Sequence, residues 1–156
     1  MKTYVILHNI RSAHNVGSIF RTADGAGISK LYLTGYTPAP VDRFGRTDEK
    51  MAKVALGATT TVPYETQEDV ASLIEKLKQE GVVVAAVELT PSAEDISAFK
   101  ESRDVAYIFG NEIEGITEDI LKRTDRQVQI PMRGTKESLN VAVAAGIVLY
   151  HDRRPI

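Results

Sequence analysis

Apolar residues occur along this chain either in short continuous runs, which predict strands, or at helical spacing, which predicts helices. Residues 4–7 and 30–34 are short, largely apolar runs that predict two buried strands. Between these runs, four apolar residues recur at helical spacing: Val16, Ile19, Phe20 and Ala23. The chain is therefore expected to open as strand, helix and strand. Residues 82–87 and 105–109 are continuous apolar runs, which are typical of strands buried on both faces.

Two helices are predicted in the middle of the chain. Residues 47–56 form the first, with Thr47 as its N-cap and acidic residues in the first turn, where they suit the helix dipole. Residues 66–80 carry one apolar stripe, and Thr66 with Asp69 approximates a capping box. A stripe on one side only is typical of a helix that packs against a core.

The remaining segments complete the alternation of strands and helices. Residues 59–63 indicate a short edge strand, because Pro63 cannot donate a hydrogen bond to a neighbouring strand. Residues 118–123 predict a helix, residues 128–130 predict the last strand, and the last helix follows from Ser138. The whole pattern indicates an α/β fold with a mostly parallel sheet flanked by helices.

Composition narrows the classes of protein to which the chain can belong. Its length of 156 residues suits a single domain, expected to cover residues 1–156. The absence of cysteine excludes disulfides, thiolate metal sites and a cysteine nucleophile. No membrane span or signal peptide is predicted, so we expect a cytoplasmic protein with no membrane partner. We also expect no metal, because no metal-ligand spacing relates the three histidines, His8, His14 and His151.

Charge is distributed unevenly along the chain, although the net charge is only −2. Residues 1–60 carry 8 Lys and Arg against 4 Asp and Glu, and residues 121–156 carry 7 against 3. Residues 61–120 reverse this balance, with 4 basic against 14 acidic residues. Two basic ends that meet in space would form a face for a polyanion such as nucleic acid, and the alternative is scattered surface charge.

Polar side chains cluster at three predicted junctions between a strand and a helix, the places where parallel sheets bind ligands. At the first junction, Asn15 and Ser18 lie near a helix start and Arg21 follows six residues after Asn15. Arginine offers a fixed fork of donors to a phosphate, and a helix N-terminus adds a favourable field. The alternative for Arg21 is an ordinary surface ion pair.

The other two junctions follow the strands at 105–109 and 128–130. After the first of these strands, Gly110 and Gly115 indicate a tight turn or a close approach to a ligand. Glu112 between them needs a partner, for which Arg21 is a candidate, and the alternative is a plain turn with an acidic helix start. After the last strand, Ser138 and Asn140 head an apolar segment, where they either cap the helix or hold a ligand.

These three segments, in their order and spacing, resemble the three motifs of the SpoU (TrmH-type) RNA ribose 2′-O-methyltransferases of the SPOUT superfamily. Residues 15–23 match Asn-x-Gly-x-x-x-Arg-x-Ala, and residues 110–115 match Gly-Asn-Glu-x-x-Gly. Residues 130–140 match Ile-Pro-Met-x-Gly followed by Ser-Leu-Asn. The resemblance runs from about residue 5 to about residue 150, which is nearly the whole chain.

The resemblance implies a SPOUT fold with a C-terminal trefoil knot, a homodimer, and S-adenosylmethionine as the cofactor held in the knot. The family's catalytic positions then fall on five residues: Asn15, Arg21, Glu112, Ser138 and Asn140. Its cofactor-binding positions fall on eight: Leu89, Thr90, Gly110, Asn111, Ile130, Met132, Ser138 and Leu139. The expected reaction is methylation of a ribose 2′-hydroxyl.

The expected substrate is RNA, with tRNA favoured over ribosomal RNA. Two alternatives stay open: a non-catalytic RNA-binding protein on the same scaffold, and a methyltransferase that acts on a base nitrogen. The absence of cysteine agrees with ribose methylation, because pyrimidine C5 methylation usually needs a thiolate. Basic residues contact phosphates regardless of sequence, and the candidates for this role are Arg11, Arg43, Arg46, Lys50 and Lys53.

Overall fold

The computed structural model describes residues 1–151, and its centre is a parallel sheet. The strands are β1 Thr3–His8, β2 Lys30–Thr34, β3 Tyr64–Gln67, β4 Val83–Val87, β5 Glu94–Asp95, β6 Val105–Phe109 and β7 Arg126–Gln129. The helices are α1 Ala13–Ala26, α2 Glu49–Ala55, α3 Ala58–Thr61, α4 Val70–Gln79, α5 Glu118–Arg123 and α6 Val141–His151. The prediction of an α/β fold with a mostly parallel sheet is confirmed.

The seven strands lie side by side in the order β3-β2-β1-β6-β4-β7-β5. In the centre of the sheet, Val5 of β1 lies opposite Leu31 on one side and Tyr107 on the other. Every pairing between these strands is parallel, so their carboxyl ends share one edge. The loops that follow β1, β4, β6 and β7 therefore leave the sheet at the same edge, and these loops carry the three motifs.

Helices cover both faces of the sheet. Helices α1, α2, α3 and α6 pack on one face through buried residues such as Phe20, Met51 and Val148. Helices α4 and α5 cover the other face through buried residues such as Leu73 and Ile120. The apolar strands predicted at residues 82–87 and 105–109 are buried on both sides because each has a helix layer above and below it.

The predicted strand at residues 59–63 is wrong, because this stretch begins as the short helix α3. Gly57 precedes that helix, and the Thr60 hydroxyl donates to the Gly57 carbonyl at 2.8 Å, whereas the Thr61 hydroxyl donates to Asp24 Oδ1 at 2.6 Å. Short hydroxyl side chains offer the backbone such local bonds, which compete with a strand ladder. One edge strand of the sheet is β3, which begins after Pro63, and β5 forms the other edge.

Two predicted helix starts are also wrong. Asp48, not Thr47, caps α2, and its side chain accepts a hydrogen bond from the Met51 amide at 3.0 Å. Asp69 alone caps α4, accepting from the Ala71 amide at 3.0 Å, whereas Thr66 belongs to β3. In both places a carboxylate close to the helix start takes the capping position from a threonine.

The trefoil knot stays a prediction. Residues 152–156 lie outside the described residues. They include two arginines of the basic C-terminal end and the end of the predicted domain. Among residues 1–151, no helix is long and apolar enough to cross a membrane.

Candidate active site

The loop after β6, residues 110–116, is folded around the side chain of Asn111. Its Oδ1 accepts hydrogen bonds from the amides of Ile113 and Glu114, both at 2.9 Å. Its Nδ2 donates to Asn9 O and to Tyr36 Oη, both at 2.9 Å. The buried Asn111 therefore shapes its own loop and ties it to the loops after β1 and β2.

A second side chain, that of Glu88 directly after β4, supports the same loop. Its Oε2 accepts from the Ile116 amide at 3.0 Å, and its Oε1 accepts from the Leu89 amide at 3.0 Å. Gly115 has a φ of +68°, and a Cβ at this position would overlap Glu88 Oε2. The second glycine of the motif is therefore required by backbone conformation and by the neighbouring carboxylate.

Glu112 finds its partners in the backbone at the start of α1. Its carboxylate accepts from the Arg11 amide at 2.9 Å and from the Ser12 amide at 3.2 Å. The expectation that Arg21 is its partner is wrong, since no bond joins the two side chains within residues 1–151. Strands β1 and β6 are neighbours in the sheet, so their following loops meet, and a carboxylate is favoured at a helix N-terminus.

The first and third motifs meet through two asparagines. Asn140 Nδ2 donates to Oδ1 of the buried Asn15 at 3.3 Å. Asn140 Oδ1 also accepts from the amides of Ala142 and Val143 at 2.9 and 3.3 Å, so this residue caps α6. Ser138 forms no hydrogen bond within residues 1–151 and lines a cleft instead. The two polar residues at the head of the last helix therefore have different roles.

The glycine of the first motif serves the packing of two helices. Gly17 lies in α1, and a Cβ built on it would come within 2.7 Å of the Met51 carbonyl in α2. The backbones of the two helices approach each other closely at this point, and only glycine leaves room for the contact. This packing fixes the position of the helix that carries Asn15 and Arg21.

Arg21 lies farther along α1 and its side chain is exposed. Among the residues that the structure describes, none forms an ion pair with it.

His8, at the end of β1, lies at the same sheet edge, and its Nδ1 is 2.9 Å from Thr34 Oγ1. Burial lowers the pKa of His8, which favours the neutral form of the ring, and the contact with Thr34 links β1 to β2. In the described part of the chain, no three His, Asp or Glu side chains are grouped to hold a metal ion.

A cleft with a cavity volume of about 140 Å³ opens at this edge of the sheet. The segments after β4, β6 and β7 line it together with the start of α6. Seven of the eight predicted cofactor-binding residues line the cleft: Leu89, Gly110, Asn111, Ile130, Met132, Ser138 and Leu139. The exception is Thr90, whose hydroxyl donates to Gln127 Oε1 at 2.6 Å.

The same cleft contains residues that the sequence did not single out. Glu88, Ile113 and Gln129 line it, and Glu88 also supports the loop after β6. The only signal for Glu88 in the sequence is its position, directly after the apolar run that forms β4. Glu112 and Ser138 are the two predicted catalytic residues that line the cleft.

The loop after β7, residues 130–139, differs from the loop after β6 in its hydrogen bonding, although Arg133 of this loop acts electrostatically on Asp95. Within residues 1–151, no hydrogen bond joins the backbone or side chains of this loop to any other residue. Most of its residues are exposed, while Ile130, Met132 and Leu139 turn partly inward to the cleft. The cleft therefore combines apolar side chains with unpaired backbone donors and acceptors, a lining that suits a small molecule with a flat ring and polar edges.

Comparison with known proteins agrees with this geometry. Residues 2–150 match the model of the SpoU rRNA Methylase family. The chain belongs to this family. It is 35% identical over 150 residues to the 23S rRNA (guanosine-2'-O-)-methyltransferase RlmB of Neisseria meningitidis serogroup B, a match that covers 96% of this chain and 57% of that protein. The chain thus spans less than three fifths of the length of this SpoU relative.

Solved structures share the fold. An AdoMet-bound rRNA methyltransferase from Sinorhizobium meliloti superposes with a TM-score of 0.88 at 30% identity, covering 97% of this chain and 56% of that one. A structure described as giving insights into the 2-OH methylation of C/U34 on tRNA superposes with a TM-score of 0.82 at 25% identity. That match covers 97% of this chain and 93% of the other, so the two chains are similar in extent.

The basic residues predicted to contact RNA lie in two places on this SpoU protein. Arg11 precedes α1, next to Glu112. The other four are exposed in the segment between β2 and the end of α2: Arg43, Arg46, Lys50 and Lys53. Arg46 Nε donates to Asp42 Oδ2 at 2.8 Å, so one of these four is held by an acidic neighbour.

Proposed function

We propose that this chain is an S-adenosylmethionine-dependent RNA methyltransferase that methylates a ribose 2′-hydroxyl, with tRNA as its substrate. The observation that carries the proposal is the meeting of the three SpoU motifs at one sheet edge. There Glu112 is bound to the loop before α1, and Asn140 is bound to Asn15. A cleft lined by the second and third motifs lies at the same place.

The residues of the cleft fit the cofactor. Leu89, Ile130 and Met132 offer apolar contacts to an adenine ring, while the backbone at Gly110 and Leu139 offers polar groups to its edges. When it is bound, the cofactor supplies a methyl group that its sulfonium already activates. The work left to the protein is to hold the ribose in line and to assist loss of the hydroxyl proton.

Residues of the first and second motifs would position the RNA. The exposed guanidinium of Arg21 is suited to the phosphate beside the target ribose, because arginine binds phosphate with two parallel donors. Arginine keeps its proton in proteins, so we assign Arg21 to positioning and electrostatic stabilisation, and a bound phosphate to acceptance of the proton. Asn15 and Glu112 would complete the ribose side, and Ser138 and Asn140 the cofactor side.

The choice of tRNA is supported by the structural relative studied for 2-OH methylation of C/U34 on tRNA, which superposes with a TM-score of 0.82 at 25% identity. Ribosomal RNA is the second candidate substrate, because the relative that is 35% identical is named for 23S rRNA. Methylation of each purified RNA decides between them.

The proposal extends to assembly and location. Helix α6 exposes Val143, Ile147 and Tyr150, which form an apolar stripe at helical spacing. Such a stripe suits a second copy of the chain, so we propose a homodimer through this face. We further propose that residues 1–156 act as one methyltransferase domain and that it acts in the cytoplasm, where its RNA is found.

The test is the variant Arg21→Ala, assayed for methyl transfer and cofactor binding separately. We expect it to abolish transfer of labelled methyl from S-adenosylmethionine to bulk tRNA, while calorimetry gives a cofactor affinity within a few-fold of wild type. The matched control is Lys122→Ala, which removes an exposed cation from α5 on the opposite face of the sheet and should keep full activity.

Three results would contradict parts of the proposal. Failure of the wild-type chain to bind S-adenosylmethionine would overturn the function itself. Loss of cofactor binding in Arg21→Ala would give Arg21 a structural role. Nuclease digestion and mass spectrometry of the product, if they locate the methyl group on a base, would replace the ribose reaction with base methylation.

A further inference from the structure

The loop of residues 41–47, here named the arginine loop, is a closed turn on the protein surface. Val41 and Thr47 pair as an antiparallel bridge at its base. Inside it, the Asp42 amide donates to Arg46 O at 2.9 Å, and the Gly45 amide donates to Asp42 O at 3.0 Å. Backbone bonds of this kind give an exposed loop one preferred shape.

The carboxylate of Asp42 fixes this shape further. It accepts from the amides of Phe44 and Arg46 at 2.8 and 2.9 Å, and from Arg46 Nε at 2.8 Å. These bonds, chiefly the one from the Arg46 amide, hold the pKa of Asp42 below its ordinary value. The same carboxylate forms an ion pair with Arg46, which offsets part of the positive charge of the loop and leaves Arg43 without an ion-pair partner among the described residues.

Phe44 lies at the tip of the arginine loop with two guanidinium groups beside it. Its side chain is 67% exposed, whereas the other three phenylalanines are buried: Phe20, Phe99 and Phe109. The guanidinium carbons of Arg43 and Arg46 lie 4.8 and 5.0 Å from the centre of the ring. These contacts hold the ring in place while much of it remains open to solvent.

An exposed ring beside two arginines suits one kind of partner. Bases stack on aromatic rings and on guanidinium planes with little regard to sequence, and arginines also bind the phosphates on either side of a base. A base can reach such a ring only when it is not stacked within a duplex. The exposed Lys50 and Lys53 continue the basic surface along α2.

We propose that the arginine loop binds an unpaired nucleotide of the RNA, with the base stacked on Phe44 and the neighbouring phosphates held by Arg43 and Arg46. The proposal rests on the proposed function, since it takes RNA as the partner. It adds that the substrate presents an unpaired base to this loop, as the loop of an RNA hairpin does.

The test measures binding of two labelled RNAs: a hairpin with an unpaired loop and a blunt duplex of the same stem sequence. We expect Phe44→Leu to weaken hairpin binding at least about fivefold and Phe44→Tyr to change it less than about twofold, because only the first removes the ring. Duplex binding, which depends on phosphate contacts, should change less than about twofold in both variants.

The matched control is Leu56→Ala, which removes an apolar side chain that is 66% exposed just after α2. It should leave hairpin binding unchanged. Thermal unfolding of each variant should match wild type, because Phe44 and Leu56 are both largely outside the core.

Four outcomes would overturn the inference. The first is failure of the wild type to bind the hairpin, and the second is equal hairpin binding by Phe44→Leu and wild type. The third is that Phe44→Leu weakens binding of the hairpin and of the duplex equally. The fourth is that Phe44→Leu loses self-association, as measured by sedimentation. The last would make the tip a contact between copies of this chain. Hairpin binding that depends on Phe44, in a wild type that transfers no methyl group, would support the loop and contradict the proposed function.

Discussion

The two loops that line the cleft differ in how their polar groups are satisfied. In the loop of residues 110–116, the amides of Ile113, Glu114, Gly115 and Ile116 all donate to protein oxygens. In the loop of residues 130–139, no such bond is found among the residues that the structure describes. One side of the cleft is therefore built by the protein alone, and the other has donors and acceptors left for a ligand.

This difference indicates how the site would work. The loop of residues 110–116, here named the preformed loop, keeps its shape before the ligand arrives, so little conformational entropy is lost when the ligand binds. The loop of residues 130–139, here named the open loop, can close on the ligand and exclude water from it. The same kind of change should therefore have unequal effects on the two loops.

The largest effect is expected from Gly115→Ala, which breaks the preformed loop. Alanine is strained at a φ of +68°, and its Cβ would overlap Glu88 Oε2. We expect a loss of about 2 kcal/mol in the free energy of unfolding and a cofactor affinity lowered by more than about tenfold. Urea unfolding and calorimetry measure the two quantities.

The matched control is Gly134→Ala in the open loop. A Cβ at Gly134 meets nothing within 4 Å, so the free energy of unfolding should change by no more than about 0.5 kcal/mol. Equal losses in the two variants would show that the loops do not differ in the way described.

A smaller effect is expected from Asn140→Ala at the head of α6. This variant loses the cap on the Ala142 and Val143 amides and the contact with Asn15, which together should cost about 1 kcal/mol. Ser138→Ala is the control, because Ser138 has no hydrogen-bond partner within residues 1–151. A loss in the Ser138 variant as large as that in the Asn140 variant would contradict the division of roles between them.

Much of the fold could be predicted from the sequence because burial leaves a regular pattern. Strands β4 and β6 are apolar throughout, since helices cover both of their faces, and α1 shows its buried stripe directly. The prediction of a strand from Thr59 to Pro63 was wrong because threonine favours strands in general, while its hydroxyl can also bond to the preceding turn. That local choice depends on Gly57 and the end of α2, which the pattern of a few residues does not reveal.

The site was predictable to a different degree. The motif residues could be named by resemblance, and most of the predicted cofactor residues do line one cleft. The partner of Glu112 could not be predicted, because backbone amides occur at almost every position and only topology brings those of Arg11 and Ser12 to it. Glu88 was missed for a similar reason, since a single carboxylate after a strand has no pattern of its own.

We propose that the cleft binds S-adenosylmethionine between the preformed loop, residues 110–116, and the open loop, residues 130–139. Amide hydrogen exchange with and without saturating cofactor tests it most directly, because exchange reports on each loop separately. We expect the amides of residues 132–139 to gain strong protection on binding, and those of residues 113–116 to be protected already and to change little. Unchanged exchange at residues 132–139 in the presence of saturating cofactor would contradict the claim.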